Sequence, residues 1–207
     1  MVDDVAQAFA ELVAADVPSS LALSGGETAR DAYEALARVT IPWDAVDVFL
    51  GDERWVPVDD DESNEHLARQ ALFTETSPRS FHSMRGAGAT PEAAADAYDA
   101  LLRGHGPLDL VHLGLGPDAH TASLFPGTPA LAVTDRLVVT NGDDLHPHVR
   151  LTVTFPALAQ ARRIVFTVDG ADKREAFARV RAGDDVPAAR VRGANVVWLV
   201  DPATAGP

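Results

Sequence analysis

Apolar residues recur along this chain at two alternating spacings. Val5, Ala8, Phe9, Leu12 and Val13 fall three and four apart, which predicts a helix over 3–15. SLALS (20–24) is a short apolar run and reads as a buried strand; GGETARDAYEALARV then turns through glycines into a second helix. VDVFL (46–50) is the next strand and ends in GDERWVP. Residues 62–73 read as a helix with Ser63 as a cap, and residues 91–103 as another with Pro91 in its first turn. Further strands are expected at 108–113, 136–140, 150–155, 163–168 and 195–200, with a helix over 171–181. Continuous Val, Leu and Ile runs that alternate with helices predict an α/β fold of three layers. Its centre is a mostly parallel open sheet with helices on both faces. No repeat or low-complexity linker interrupts the pattern, and residues 1–207 suit one domain.

In such sheets ligands bind beyond the carboxyl ends of the strands. Four ends carry polar, glycine-containing turns. SGGET opens a helix, so Gly25 and Gly26 let backbone N–H groups approach an anion, with Ser24 and Thr28 as hydroxyl donors. The alternative is a plain turn in which Ser24 or Glu27 caps the helix. It is not a Walker-type loop, because no GK[ST] follows. GDERWVP offers Asp52 and Arg54; the guanidinium can grip a phosphate bidentately or pair with a neighbouring acid. Trp55 reads as packing. DGADK places Lys173 in the first turn of a helix, where the dipole disfavours a cation unless an anion sits nearby.

The fourth end, GLGPDAHTASLFP, matches the G-x-G-x-x-A dinucleotide fingerprint through Gly114, Gly116 and Ala119, with Asp135 downstream. That match is rejected. The fingerprint requires a long helix after the turn, and Pro126 limits any helix here. What remains is His120, whose imidazole can take a proton near neutral pH, with Asp118 two residues away to fix its tautomer. The alternative is a histidine satisfied within a loop.

Composition narrows the chemistry. The net charge is −14 and the pI near 4.7, which argues against nucleic acid as a partner but permits a small anion held by a local cation cluster. The chain has no cysteine, hence neither disulfides nor thiolate chemistry. Of the 17 basic residues only Lys173 is a lysine, which marks it as a candidate for a site that needs a compact ammonium. No apolar run approaches the roughly 20 residues needed to span a bilayer, and MVDDVAQAFAELVAADV lacks the basic start of a signal peptide. A cytoplasmic setting is therefore expected. His146-Pro147-His148 offers two histidines without further ligands, a poor metal site. Asp59-Asp60-Asp61-Glu62 reads as a solvated loop and helix start, and no G-x-S-x-G elbow supports a serine hydrolase.

LALSGGET, VFLGDERWVP with DESNEHLARQALF, DLVHLGLGPDAHTASLFPG, RLTVTFPALAQARRIVFTVDGADK and VVWLVDPATA together resemble the 6-phosphogluconolactonase family. The resemblance implies a modified Rossmann-like fold related to the glucosamine-6-phosphate deaminases and ribose-5-phosphate isomerases. It implies hydrolysis of 6-phospho-D-glucono-1,5-lactone to 6-phosphogluconate in the pentose phosphate pathway, with no cofactor and no metal. His120 would be the general base and Asp118 its orienting partner. Ser24, Gly25, Gly26, Thr28, Asp52, Arg54, Gly116 and Lys173 would surround the substrate, with backbone N–H groups of Gly114–Gly116 as candidates for the oxyanion. The partner is then a small sugar phosphate, without nucleic acid or membrane, bound by a monomer or weak homo-oligomer. The alternatives are an amino-sugar phosphate deaminase, in which Asp52 shuttles protons, and a non-catalytic sugar-phosphate-binding module. Two departures from the family stand out. The chain begins inside the first helix, without the edge strand expected before it. Alanine also occupies position 119, where the family usually has glycine, so Ala119 is expected either to have a negative φ or to sit in a left-handed turn whose strain is tolerated locally.

Overall fold

The computed structural model describes residues 1–86 and 88–206; Ala87 and Pro207, both inside the span read as one domain, lie outside the described residues. Among the described residues nine strands form: β1 (Ser20–Leu23), β2 (Asp47–Leu50), β3 (Asp52–Arg54), β4 (Ser80–Phe81), β5 (Leu110–Leu113), β6 (Val138–Asp143), β7 (His146–Val153), β8 (Arg163–Val168) and β9 (Val196–Val200). The helices are α1 (Val5–Ala15), α2 (Glu27–Ala37), α3 (Asn64–Ala71), α4 (Pro91–His105), α5 (Phe155–Gln160), α6 (Arg174–Ala182), α7 (Pro187–Arg190) and α8 (Pro202–Ala205). Ser63 caps α3 as expected, accepting the His66 N–H, and Pro91 opens α4 behind a Thr90 cap. Among the described residues no helix is long and apolar enough to cross a membrane.

Six strands build one sheet in the order β4-β2-β1-β5-β8-β9, with every neighbouring pair parallel. All positions of β1 and β5 are buried, as their continuous apolar runs require. Register aligns Ala22 with Phe49 and Val111, so Leu23, Leu50 and His112 leave the opposite face. Phe49 meets Tyr98 of α4, whereas His112 meets Phe9 of α1 and Tyr33 of α2. Helices therefore cover both faces, as the sequence pattern requires.

The strands expected at 136–140 and 150–155 do not join this sheet. They form β6 and β7 of a second, antiparallel sheet with the order β3-β7-β6. The reason is chain length. A parallel crossover needs about a dozen residues or more, while Asp143 closes a tight turn here by accepting the N–H groups of Leu145 and His146. The short β3, which the sequence pattern did not mark, pairs with β7 directly after β2. The helix expected over 171–181 also divides. Ala171–Lys173 is a single 3₁₀ turn, and Lys173 is the N-cap of α6 rather than a residue of its first turn.

Of the two expectations for Ala119, the negative φ is overturned and the locally tolerated strain is what the structure shows. Its φ is +66°, and Ala122 follows at +48°. The turn enforces this conformation. Gly116 N–H bonds the His120 carbonyl at 2.9 Å, Ala119 N–H bonds the Gly116 carbonyl at 3.0 Å, and Ala188 N–H from α7 bonds the Ala119 carbonyl at 3.0 Å. A left-handed alanine costs about 1–2 kcal/mol. Ala122→Gly should therefore raise unfolding stability by about 1 kcal/mol in chemical denaturation. Ala119→Gly should gain less, because it also gives up a fully buried methyl worth about 0.8 kcal/mol. Loss of stability in Ala122→Gly would contradict the strain.

Candidate active site

Strand order reverses between β1 and β5, since the chain winds outward from β1 through β2 to β4 and from β5 through β8 to β9. A crevice opens at the carboxyl ends beside such a switch point. A cavity of about 320 Å³ lies there. All four predicted strand ends line it, through Ser24, Gly25, Gly26 and Thr28; Asp52 and Arg54; Gly114, Gly116 and His120; and Asp169 and Lys173. Asp118 is the one predicted site residue outside the lining; it stands behind His120.

Asp118 Oδ1 lies 2.5 Å from His120 Nδ1 and accepts the His120 backbone N–H at 3.1 Å. The carboxylate thus holds the proton on Nδ1 and leaves Nε2 as the basic nitrogen. No described residue hydrogen-bonds Nε2, and His120 lines the cavity. Gly116 makes this packing possible: a Cβ there would sit 2.2 Å from both Nδ1 and Cε1 of the ring. The Gly116 N–H already serves the His120 carbonyl, which removes it from the candidate oxyanion donors of 114–116.

Across the cavity, α2 begins at Gly26 with φ +96° and no side-chain cap. The alternative in which Ser24 or Glu27 caps this helix is not realised. Its first-turn N–H groups and positive dipole end stand open to an anion. Lys173 enters the same cavity from the α6 cap, its Nζ 3.3 Å from the largely exposed Asp172 carboxylate. Arg54 has no carboxylate ion-pair partner among the described residues; its Nη1 donates to the Glu62 carbonyl at 2.5 Å. The guanidinium retains donors for a ligand.

Asn64 is a lining residue that the sequence reading missed. Its amide donates to the Asp52 carbonyl at 2.9 Å and to Asp52 Oδ1 at 3.2 Å, while Ser123 Oγ donates to Asp52 Oδ2 at 2.7 Å. A Cβ on Gly25 would lie 1.9 Å from Asn64 Oδ1, so that glycine admits α3 against the cradle. Fully buried Glu53 anchors the start of α3 by accepting from Ser63 Oγ and from the N–H groups of Arg54, Asn64 and Glu65. Burial pushes its carboxyl pKa up; these donors oppose the rise. His146 and His148 turn to separate carboxylates, Asp143 at 2.7 Å and Glu62 at 3.3 Å, so the pair does not converge on a metal. Trp55 packs beneath the Arg85 guanidinium at 4.0 Å.

Comparison with known proteins shows the family and the fold. Residues 1–198 match the family model described as glucosamine-6-phosphate isomerases/6-phosphogluconolactonase. A 6-phosphogluconolactonase of Synechocystis sp. is 43% identical over 197 residues, covering 88% of this chain and 81% of its own length. The crystal structure of the Thermotoga maritima 6-phosphogluconolactonase superposes with a TM-score of 0.83 at 28% identity, over 97% of each chain. A monomeric glucosamine-6-phosphate deaminase superposes with a TM-score of 0.82 over 97% of this chain and 94% of its own, but at 22% identity, a likeness of fold alone.

Asp118 also sets a pH dependence. Burial pushes its carboxyl up, but the His120 ring, through hydrogen bond and charge, together with backbone N–H donors, holds it at about 2. The unfolded value is about 3.9. This stabilisation is complete above the unfolded pKa and disappears as the pH falls through about 2. Asp118→Asn should take up about one proton fewer on acid unfolding across that window. An unchanged slope of stability against pH would contradict the pairing.

Proposed function

The chain belongs to the family of glucosamine-6-phosphate isomerases and 6-phosphogluconolactonases, and we propose that His120 is the general base of its reaction. It is an enzyme of the 6-phosphogluconolactonase type. It hydrolyses 6-phospho-D-glucono-1,5-lactone to 6-phospho-D-gluconate in the pentose phosphate pathway. The observation that carries the mechanism is the Asp118 contact at Nδ1 of a histidine that lines the cavity, which leaves Nε2 free of a protein partner to serve as the base. Nε2 takes a proton from water as the water oxygen adds to C1 of the lactone. The tetrahedral intermediate collapses with cleavage of the C1 bond to the ring oxygen. That oxygen receives the proton back from Nε2 and becomes the C5 hydroxyl. The new carboxylic acid loses its proton to solvent. Asp118 steadies the imidazolium between the two transfers and orients the ring throughout.

The open start of α2, with Gly25, Gly26, Ser24 and Thr28, holds the 6-phosphate together with Lys173, and Arg54 adds a guanidinium to the wall. Supporting this assignment are the uncapped helix and the two cations in one cavity of a chain with net charge −14. Asp52 and Gly116 shape the sugar subsite. The deaminase alternative asks Asp52 to shuttle protons, but that side chain is 6% exposed and both its oxygens already accept hydrogen bonds. Residues 1–207 act as one domain in this scheme, in the cytoplasm, as a monomer or weak homo-oligomer, without nucleic acid. The acidic charge supports that last point.

His120→Ala should lower kcat by about 10²–10⁴-fold once spontaneous hydrolysis is subtracted. Turnover at the wild-type rate would sink the general base. Lys173→Ala should act mainly through a raised KM; a loss confined to kcat would contradict its place on the phosphate. Release of ammonia from glucosamine 6-phosphate would favour the deaminase.

A further inference from the structure

Below the cavity runs a buried polar chain that takes no part in the steps above. Tyr33 Oη accepts the Ser24 N–H at 2.6 Å, lies 3.2 Å from the Ser24 carbonyl, and lies 2.7 Å from His112 Nδ1. His112 Nε2 lies 2.8 Å from Thr167 Oγ1. Ser24 and Thr167 both line the cavity, whereas His112 and Tyr33 are wholly buried beneath it. Phe9 packs on the His112 ring at 4.2 Å.

A histidine in the middle of the apolar strand LVHL is costly unless both ring nitrogens are satisfied. Here both are. Burial pushes the imidazole down to about 3, so the ring is neutral near pH 7, with one donor and one acceptor nitrogen. Either Tyr33 donates to Nδ1 and Nε2 donates to Thr167, or the sense runs the other way; both leave the chain complete. The position of β5 gives the ring its reach. β5 lies between β1 and β8, so one side chain ties the carboxyl ends of both neighbours, β1 through Tyr33 and Ser24, β8 through Thr167. The first of these ends starts the glycine cradle, and the second leads within six residues to Lys173.

We propose that His112 is a positioning residue for substrate binding: through Tyr33 it sets the Ser24 backbone at the root of the anion cradle, and through Thr167 it sets the strand end that delivers Lys173. The proposal rests on the phosphate assignment of that cradle. It makes His112 act on affinity, separately from the proton chemistry at His120.

The test compares His112→Leu, His112→Gln and Tyr33→Phe with Lys173→Ala and wild type. Each is measured for kcat and KM on the lactone, for inhibition by inorganic phosphate, and for thermal unfolding. His112→Leu strands the buried Thr167 hydroxyl and removes one partner of Tyr33 Oη, which keeps only Ser24. It should raise KM and the phosphate inhibition constant together by about tenfold, with kcat within about threefold of wild type. His112→Gln keeps one donor and one acceptor and should recover most of that loss. Tyr33→Phe, which keeps the ring, should shift both constants in the same direction even if His112→Leu does not fold. Lowered unfolding temperatures with KM and phosphate inhibition unchanged would reduce His112 to a core residue and overturn the proposal. If Lys173→Ala alone raises both constants, the cradle stands and only the role of His112 falls. If Lys173→Ala also leaves both unchanged, the phosphate assignment itself has failed.

Discussion

One carboxylate oxygen organises the turn that carries His120. Asp118 Oδ1 accepts the His120 backbone N–H and meets His120 Nδ1, so a single atom sets both the path of the chain and the orientation of the ring. Two residues joined this closely cannot be spanned by extended backbone. The intervening Ala119 is driven into the left-handed region, and a closed loop between Gly116 and His120 holds it there. Strain of this kind persists where the surroundings over-determine it. Here the surroundings are the missing side chain of Gly116 and the N–H that α7 contributes through Ala188.

The small antiparallel sheet is the support for that turn. Ser123, three residues beyond His120, donates its hydroxyl to Asp52 on β3 and its N–H to Thr152 on β7, while Asn141 on β6 donates to the Ser123 carbonyl. Phe125 stacks on His146 of β7 at 3.8 Å and lies edge-on to His120 at 4.9 Å. All three strands of the second sheet therefore grip the segment that carries His120, the proposed base. The large sheet carries the proposed anion side, where the uncapped α2 and Lys173 project from β1 and β8. The fold brings the two proposed functions together where these sheets meet, and this division would let an acidic protein keep a local site for an anion.

The main architecture was legible because buried parallel strands need continuous apolar runs. SLAL, DVFL, LVHL and RIVFTV carry that signature and lie where the sequence placed them. Most of the candidate site followed from it, since glycine-rich polar turns at carboxyl ends of such strands fall on one edge by geometry. Three things were not legible. The hairpin of β6 and β7 reads as two ordinary strands until the length of the connection is weighed. Asn64 and Ser123 look like loop and cap residues, and only long-range pairing brings them to Asp52. His112 hides in an apolar strand, because its partners Tyr33 and Thr167 stand 79 and 55 positions away along the chain. At Ala119 the sequence reading followed the local cost of a left-handed alanine, and tertiary hydrogen bonds overrode that cost.

The central claim is a division of the cavity: a base at His120, and an anion cradle at the start of α2 with Lys173. A crystal structure with 6-phosphogluconate bound tests it most directly. The phosphate should sit on the N–H groups following Gly26, within reach of Lys173 Nζ, with the C1 carboxylate beside His120 Nε2. A product bound in the reverse sense, with its phosphate against His120 and its carboxylate at α2, would contradict the account.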